Sequence, residues 1–586
     1  MIQSRLLLFL FALLFFGRSL YGQNYFQNTY NRNIRDEGWG LDVLPNNDIV
    51  IAGATGMPFI GSMWIQRLNN QGAVLWAKAY KAGVSDVAVD IRRVQSGGGF
   101  WVVFNGVDHA GWMKISETGD ALMSRATNML YRFKRIAPVS DGGYLITGYE
   151  EALGFNDAFL LKINTNGDIV WKTKFGSSAD DAVEKCWEDA EGFIYCCGFT
   201  TQQNGNRDGM LAKLSPTGAV LWTRSYGSAG VDQFTGIAPF GSDSSLLLAG
   251  YSAGFGSDYE VWLTKVNSSG TLKWSRTYSI QSQDLGAIDL LQNPGNQFIV
   301  ATGDPFYQDG SPAILFKISE DGNLLWEYEY KTGGESALLR EVAPAPDGFV
   351  AIGSTRLNGG EDIYLLKVAA DGLIPGSDCC PVAAGLTVRD VLPEQEPFTA
   401  GSNNTFAANA GLWSVSELIP DVTNICSPID LTFSVSDSSI CPGECVDITI
   451  TGNTPGVTYS FTSNGGVFDP DNPLRVCFPN EGDYFITRKG ENSVCSKDLS
   501  IKIEVGNRPD AFPNAFTPNG DGVNDTFKPV FFCPVATTNF KIYNRWGQKV
   551  FETRDPNAAW DGRVDGTEAA SDVYAWQVEY EVVRDG

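Results

Sequence analysis

Histidine is nearly missing: the 586-residue chain has one, His109. That count excludes a zinc site built from several imidazoles and leaves a Ser-His-Asp arrangement a single candidate base. No Gly-Lys-Ser/Thr phosphate loop is present. Basic residues are short as well, 43 Lys+Arg against 68 Asp+Glu, a formal net charge of −25. Such a surface repels phosphate backbones, so nucleic acid is not an expected partner. Long apolar runs are absent but for one, "LLLFLFALLFF", which follows Arg5 and exits through "GRSLYGQ". A basic start, a short apolar run and a small-residue exit read as a signal peptide over residues 1–22, cleaved after Gly22. The run is too short to span a bilayer and no later segment is apolar enough, so no transmembrane span is expected after its removal. The expected place is outside the cell, secreted or on the outer surface.

What the chain has in quantity is glycine and aromatics: 64 Gly, 15 Trp, 21 Tyr and 35 Phe. Many turns between short apolar runs point to an all-β protein, and the length asks for several domains. Eleven cysteines in an exported chain imply disulfides, and the odd number leaves at least one thiol over.

Seven copies of one phrase, apolar–apolar–Lys or Arg followed by Gly, run through the first two-thirds: "MWIQRLNNQG", "GWMKISETG", "FLLKINTNG", "MLAKLSPTG", "WLTKVNSSG", "ILFKISEDG" and "YLLKVAADG". Their glycines are Gly72, Gly119, Gly167, Gly218, Gly270, Gly322 and Gly372. A second phrase interleaves, a turn then an apolar run and Gly, as in "NNDIVIAG" and "DGGYLITG"; a third carries Trp76, Trp171, Trp222, Trp274 and Trp326, with Met123 in the second repeat. About four short strands per repeat is the content of one propeller blade. Residues 24–372 are therefore expected to form a seven-bladed β-propeller, with the Trp series packed between blades. An Asp often precedes the Lys-bearing strand (Asp108, Asp157, Asp208, Asp258, Asp309, Asp362), and is expected to tie its own turn. Lys is expected to cover apolar surface with its stem. His109, in "GVDHAGWMK", reads as decoration of such a turn. The region resembles secreted bacterial propeller-repeat proteins of the "DGG-x-hydrophobic-x-G" type, which implies fold more than activity.

Residues 373–428 lose the repeat and are rich in Pro, Gly, Ser and Asn, the composition of a linker. Cys379 or Cys380 could fasten it to Cys426. Over 429–506 short alternating runs return, "CVDITITG", "VTYSFTS", "DYFITRKG" and "LSIKIEV" among them, and suggest a small β-sandwich. "ICPGECVDITITG" with "VCFPNEGDYFITRKG" resembles the polycystic-kidney-disease type of immunoglobulin-like domain. Cys441, Cys445, Cys477 and Cys495 allow three pairings; strand positions favour Cys445–Cys477 across the sandwich, leaving Cys441–Cys495. Export favours disulfides over metal binding by these four.

The tail, 508–586, carries "FPNAFTPNGDGVND", "IYNRWGQKVFE" and "WDG" in that order. It resembles the gliding-motility-associated C-terminal domain, the type B sorting domain of the type IX secretion system of Bacteroidota. That resemblance implies a small all-β domain recognised by the secretion machinery. The chain stops at "VVRDG", where the family continues into a last strand, so either the sequence is a fragment or the terminal strand is absent. The loop Asn519, Asp521, Asn524 and Asp525 sets oxygen ligands at short spacing around Gly520 and Gly522. Calcium is one reading of it; side chains capping a backbone turn is the other.

Three functions follow. The preferred one is a secreted or surface adhesion protein whose propeller binds an extracellular glycan or protein, with no enzyme activity and no cofactor beyond calcium. The alternative is a polysaccharide-active enzyme using carboxylates in the propeller funnel. The third is an oxidoreductase, since Gly-x-x-x-Trp also occurs in quinone-cofactor propellers.

Overall fold

The computed structural model describes residues 25–32, 35–57, 60–81, 83–128, 131–151, 154–240, 243–304, 312–333, 336–357, 360–375, 381–397, 414–425, 429–454, 456–492, 495–506, 509–511 and 513–582. The signal peptide, Asp309, Cys379, Cys380, Cys426 and the terminal "VRDG" lie outside them. No helix among the described residues is long and apolar enough to cross a membrane. The chain divides into two compact units, Met1–Ser427 and Pro428–Gly586.

In the first unit each sequence repeat forms one antiparallel four-stranded meander. The first strands are Arg35–Val43, Asp86–Arg93, Tyr131–Pro138, Asp181–Glu188, Asp232–Pro239, Gly286–Asn293 and Ser336–Ala345. Meanders two to six supply all four strands from consecutive sequence, as does meander one; meander seven takes its outermost strand from the start of the chain, Phe26–Asn31, laid antiparallel on Gly360–Ala369. The first strands touch their neighbours in turn, one to seven, and the seventh touches the first. The result is an all-β, propeller-like unit.

The first phrase is a hairpin between third and fourth strands. In meander four, Gly218 N–H returns to the Ser215 carbonyl and the pairing slips between Lys213 and Leu214. Gly218 has φ +82°, a left-handed conformation for which a side chain is strained. A Cβ there would also meet the Trp171 ring of the preceding meander at 2.7 Å. The Trp series thus lies against the turn glycine of the next meander, as Trp222 does against Gly270 and Trp274 against Gly322.

A latch seals the same junctions. Tyr30, Tyr226, Tyr278 and Tyr330 hydroxyls donate to the carbonyls of Gly72, Gly270, Gly322 and Gly372 at 2.5–2.7 Å. Tyr80 does the same to Gly119, Thr173 to Gly218 and the Trp112 indole to Gly167. All seven junctions carry one.

The stretch expected to be a linker is a belt. Glu394–Pro397 pairs with the outer strand of meander four, Thr387–Asp390 with meander five, Ser414–Glu417 with meander one, and Asp421–Asn424 with Phe26–Asn31. Val382 bridges Glu329 on meander six. Pro and Gly there suppress helix, while the exposed backbone edge of each meander offers N–H and C=O partners that a polar extended chain satisfies.

In the second unit, two four-stranded sheets enclose Phe433, Val446, Val476, Phe478, Ile486 and Ile503. Arg488 is fully buried there: it donates to the Thr432 and Gly452 carbonyls and to Asn453, and lies 4.2 Å from the Tyr459 ring centre. A three-stranded sheet, Lys549–Thr553, Val535–Tyr543 and Ala575–Val582, follows, its core formed by Phe527, Phe540, Ile542 and Trp560.

Two cysteine expectations change. Cys445 and Cys477 are bonded, but as directly opposed residues of adjacent strands in one sheet rather than across the sandwich. Cys441 pairs with Cys533, not Cys495. Ile440 lies beside Val505, at the far end of Ser496–Val505 from Cys495. A strand of that length separates the two sulfurs by about 30 Å at ~3.3 Å per residue, beyond disulfide reach. A further bond, Cys186–Cys196, joins the first two strands of meander four. The neighbouring Cys197 is a free, buried thiol, pushed up to about 12 by burial.

Candidate functional site: an axial cavity lined by seven strand bulges

Every first strand carries a β-bulge. The pairing with the second strand slips at Gly38/Gly40, Ala88/Asp90, Phe133/Ile136, Val183/Lys185, Phe234/Gly236, Ala287/Asp289 and Leu339/Glu341. In five meanders the residue opposite the slip is the glycine that closes the second sequence phrase: Gly53, Gly148, Gly198, Gly250 and Gly353. A Cβ at Gly53 would stand 1.8 Å from the Glu37 carbonyl oxygen, so the partner strand can hug the bulge only without a side chain. A bulge leaves one residue unpaired and re-aims it. The residues so released are Trp39, Val89, Lys134 with Arg135, Glu184, Thr235, Ile288 and Arg340. All of them line one cavity of about 640 Å³.

Three cation–aromatic pairs stand in its wall. The Arg340 guanidinium lies 4.2 Å from the Trp39 ring centre, Arg207 lies 4.0 Å from Phe199, and the Lys134 ammonium is 5.8 Å from Tyr149. A relay fixes Glu184: Tyr251 donates to Gln233 (3.0 Å), Gln233 to Glu184 (3.1 Å), and Lys134 pairs with the same carboxylate at 3.0 Å. Burial opposes the charge on Lys134, but Glu184 outweighs it and raises the ammonium's pKa.

The residue after the bulge is again polar in four meanders: Asp90, Lys185, Asp289 and Glu341. The three buried carboxylates among them are paired with half-buried cations, Arg92, Arg135 and Lys185. Arg92 pairs with Asp90 at 2.8 Å and with Glu341; Arg135 pairs with Glu341 at 3.0 Å; Lys185 pairs with Asp289 at 2.5 Å. The three carboxylates also stitch neighbours together. Asp90 accepts the Ile136 N–H of the next meander (2.8 Å), Asp289 that of Val342 (3.1 Å), and Glu341 that of Leu41 (3.0 Å). Asp90 and Asp289 occupy equivalent, fully buried positions yet shift oppositely. Burial holds Asp90 above the usual carboxylate range, with the Glu341 charge adding to it against Arg92. At Asp289 burial also raises the pKa, but Lys185 and Arg135 overcome it and the carboxyl is lowered.

The residues singled out in the sequence lie elsewhere. Of the Lys/Arg series, Arg67 pairs with Asp48, Lys162 with Asp141 and Lys265 with Glu320, while Lys213 reaches the Tyr195 hydroxyl. Of the Asp series, Asp157 holds Lys174 at 2.5 Å and Asp208 accepts from Gln202 and Asn206. His109 is held between Asp86 (2.9 Å) and Asp108 (2.6 Å). None of these lines the cavity. In the tail loop, Asp525 accepts the Gly520 and Gly522 N–H groups at 2.7 Å each, Asp521 accepts Val523 N–H, and Asn519 bonds Asp521. No group of three His, Cys, Asp or Glu side chains among the described residues could hold a metal ion.

Sequence reasoning missed the bulge residues because they share no residue type. The signal was positional: the closing glycine of the second phrase marks the strand that faces the bulge.

No curated protein matches the chain in sequence. Among solved structures it is similar to Sqt1 of Chaetomium thermophilum (11% identity, 59% of this chain and 98% of that one, TM-score 0.39). It is also similar to PorZ, a surface component of the type IX secretion system of Porphyromonas gingivalis (13%, 79% and 58%, 0.36). A third is a family PL25 ulvan lyase (10%, 60% and 96%, 0.39). Residues 511–585 match the CHU_C type IX secretion signal domain, which assigns the chain to export through that system, secreted or held at the outer surface.

Proposed function

We propose that the protein is an exported adhesion protein that takes its ligand in the axial cavity. The seven meanders act as blades of a closed seven-bladed β-propeller over 24–372. Residues 429–506 act as an immunoglobulin-like spacer of the polycystic-kidney-disease type, and 508–586 as the type B sorting domain that the secretion machinery recognises. The observation that carries this reading is the contrast at each bulge: a repeated backbone device delivers a different side chain from every meander into one space. Its volume is that of a site for a small ligand or a short extended chain. The test is binding of the full chain to a glycan array and to cells, repeated with Trp39→Ala and Thr235→Trp. Loss of binding in both, with folding intact, is the expected result; retained binding in both defeats the reading.

An enzyme has one observation in its favour: two carboxylates, Glu184 and Asp304, line the same cavity. Turnover on a polysaccharide panel, abolished by Glu184→Gln, would select it. Glu184 already pairs with Lys134 and accepts from Gln233, which suits a positioning role better than proton transfer to a substrate.

A further inference from the structure

Resting on that reading of the cavity, we propose that its ligand is an acidic oligosaccharide, its carboxylate or sulfate group received by Arg207. The chain as a whole is strongly anionic, at −25. The cavity wall differs from that average, with five cationic side chains and two carboxylates among its lining residues. Four of the five have an acidic neighbour: Arg132 has Glu151 at 3.2 Å, Lys134 has Glu184, Arg135 has Glu341, and Arg340 has Glu361 at 3.9 Å. Arg207 has no carboxylate within ion-pair distance among the described residues; its guanidinium lies over the Phe199 ring and interacts with the Tyr251 hydroxyl.

A guanidinium held over a ring is pre-organised. Its planar fork matches the paired oxygens of a carboxylate or sulfate, and little side-chain freedom remains to be lost on binding. The same wall holds Trp39, Tyr149 and Tyr251, whose faces suit sugar rings, and the uncharged amides and hydroxyl of Asn156, Gln233 and Thr235, which suit sugar hydroxyls. Export places the cavity outside the cell, where polysaccharides are met.

Isothermal titration calorimetry on the full chain tests this with three size-matched tetrasaccharides: an oligogalacturonate, a sulfated galactan fragment and neutral cellotetraose. At least one acidic probe is expected to bind about tenfold or more tighter than cellotetraose. That preference should fall as salt rises from low to ~0.3 M. Arg207→Gln should reduce acidic binding to the neutral level and Arg207→Lys restore part of it, which separates a lost charge from a misfolded variant. Carboxylate and sulfate probes tell the two anion sources apart. Equal binding of neutral and acidic probes, or full acidic affinity in Arg207→Gln, overturns the inference while leaving the cavity a binding site. Absence of binding by all three probes overturns it too. If cell binding then survives Trp39→Ala and Thr235→Trp, the cavity reading itself has failed.

Discussion

The two sides of each repeat obey opposite rules. At the junction near the third-to-fourth hairpin, meander after meander uses the same chemistry, a Trp ring on a turn glycine and a hydroxyl on that glycine's carbonyl. At the bulge, the backbone is equally regular but the side chains are Trp, Val, Lys, Glu, Thr, Ile and Arg. Where residues repeat they specify how one meander meets the next. Where they diverge over an unchanging backbone they are free to meet something else.

The sharpest way to break that contrast is Glu341, which belongs to the axis but serves the structure. Glu341→Gln leaves the half-buried Arg92 and Arg135 without their shared carboxylate. It should cost about 3–5 kcal/mol, seen as a lower denaturant midpoint for the first unit.

Next come the buried carboxyls at the starts of the first strands. Asp181 and Asp232 are each raised to about 6, chiefly by burial. An unfolded Asp titrates near 3.9, so the folded state holds the proton more tightly. Their stabilising contribution is therefore present below about pH 4 and lost as pH rises through about 6. Relative to Asp181→Asn and Asp232→Asn variants, the native chain should lose roughly 1–2 kcal/mol each between pH 4 and 7. Thermal unfolding across that range would show it, and parallel curves would refute it.

Tyr226→Phe and Tyr278→Phe remove one latch apiece. Each should cost about 1 kcal/mol, nearly equally, and leave ligand binding unchanged. Unequal losses, or lost binding, would mean the latches are not interchangeable. The smallest effect is expected at Asn519–Asp525. Both Asp525 oxygens already accept backbone N–H groups, so millimolar calcium should shift unfolding of the second unit by no more than ~1 °C.

The repeat, its turn glycines and the Trp packing were legible because each has a residue signature that recurs. The latch was half legible: Tyr80, Tyr226, Tyr278 and Tyr330 each stand four residues after the repeat Trp, inside phrases such as "LWAKAY", yet the hydroxyl's partner lies in another meander. The belt was not legible, because a segment that pairs only through its backbone needs no apolar pattern of its own. Nor was Cys441–Cys533, whose halves come from stretches that the sequence presents as separate domains.

The belt also fixes the order in which the first unit can come undone. Phe26–Asn31 is held between Gly360–Ala369 on one side and Asp421–Asn424 on the other. Peeling this strand away must break two ladders at once, and stripping the belt first means unzipping contacts with meanders six, five, four, one and seven. For a molecule working outside the cell, with no chaperone to rebuild it, resistance to proteolysis and to pulling then resides less in any core than in a strand locked from both flanks.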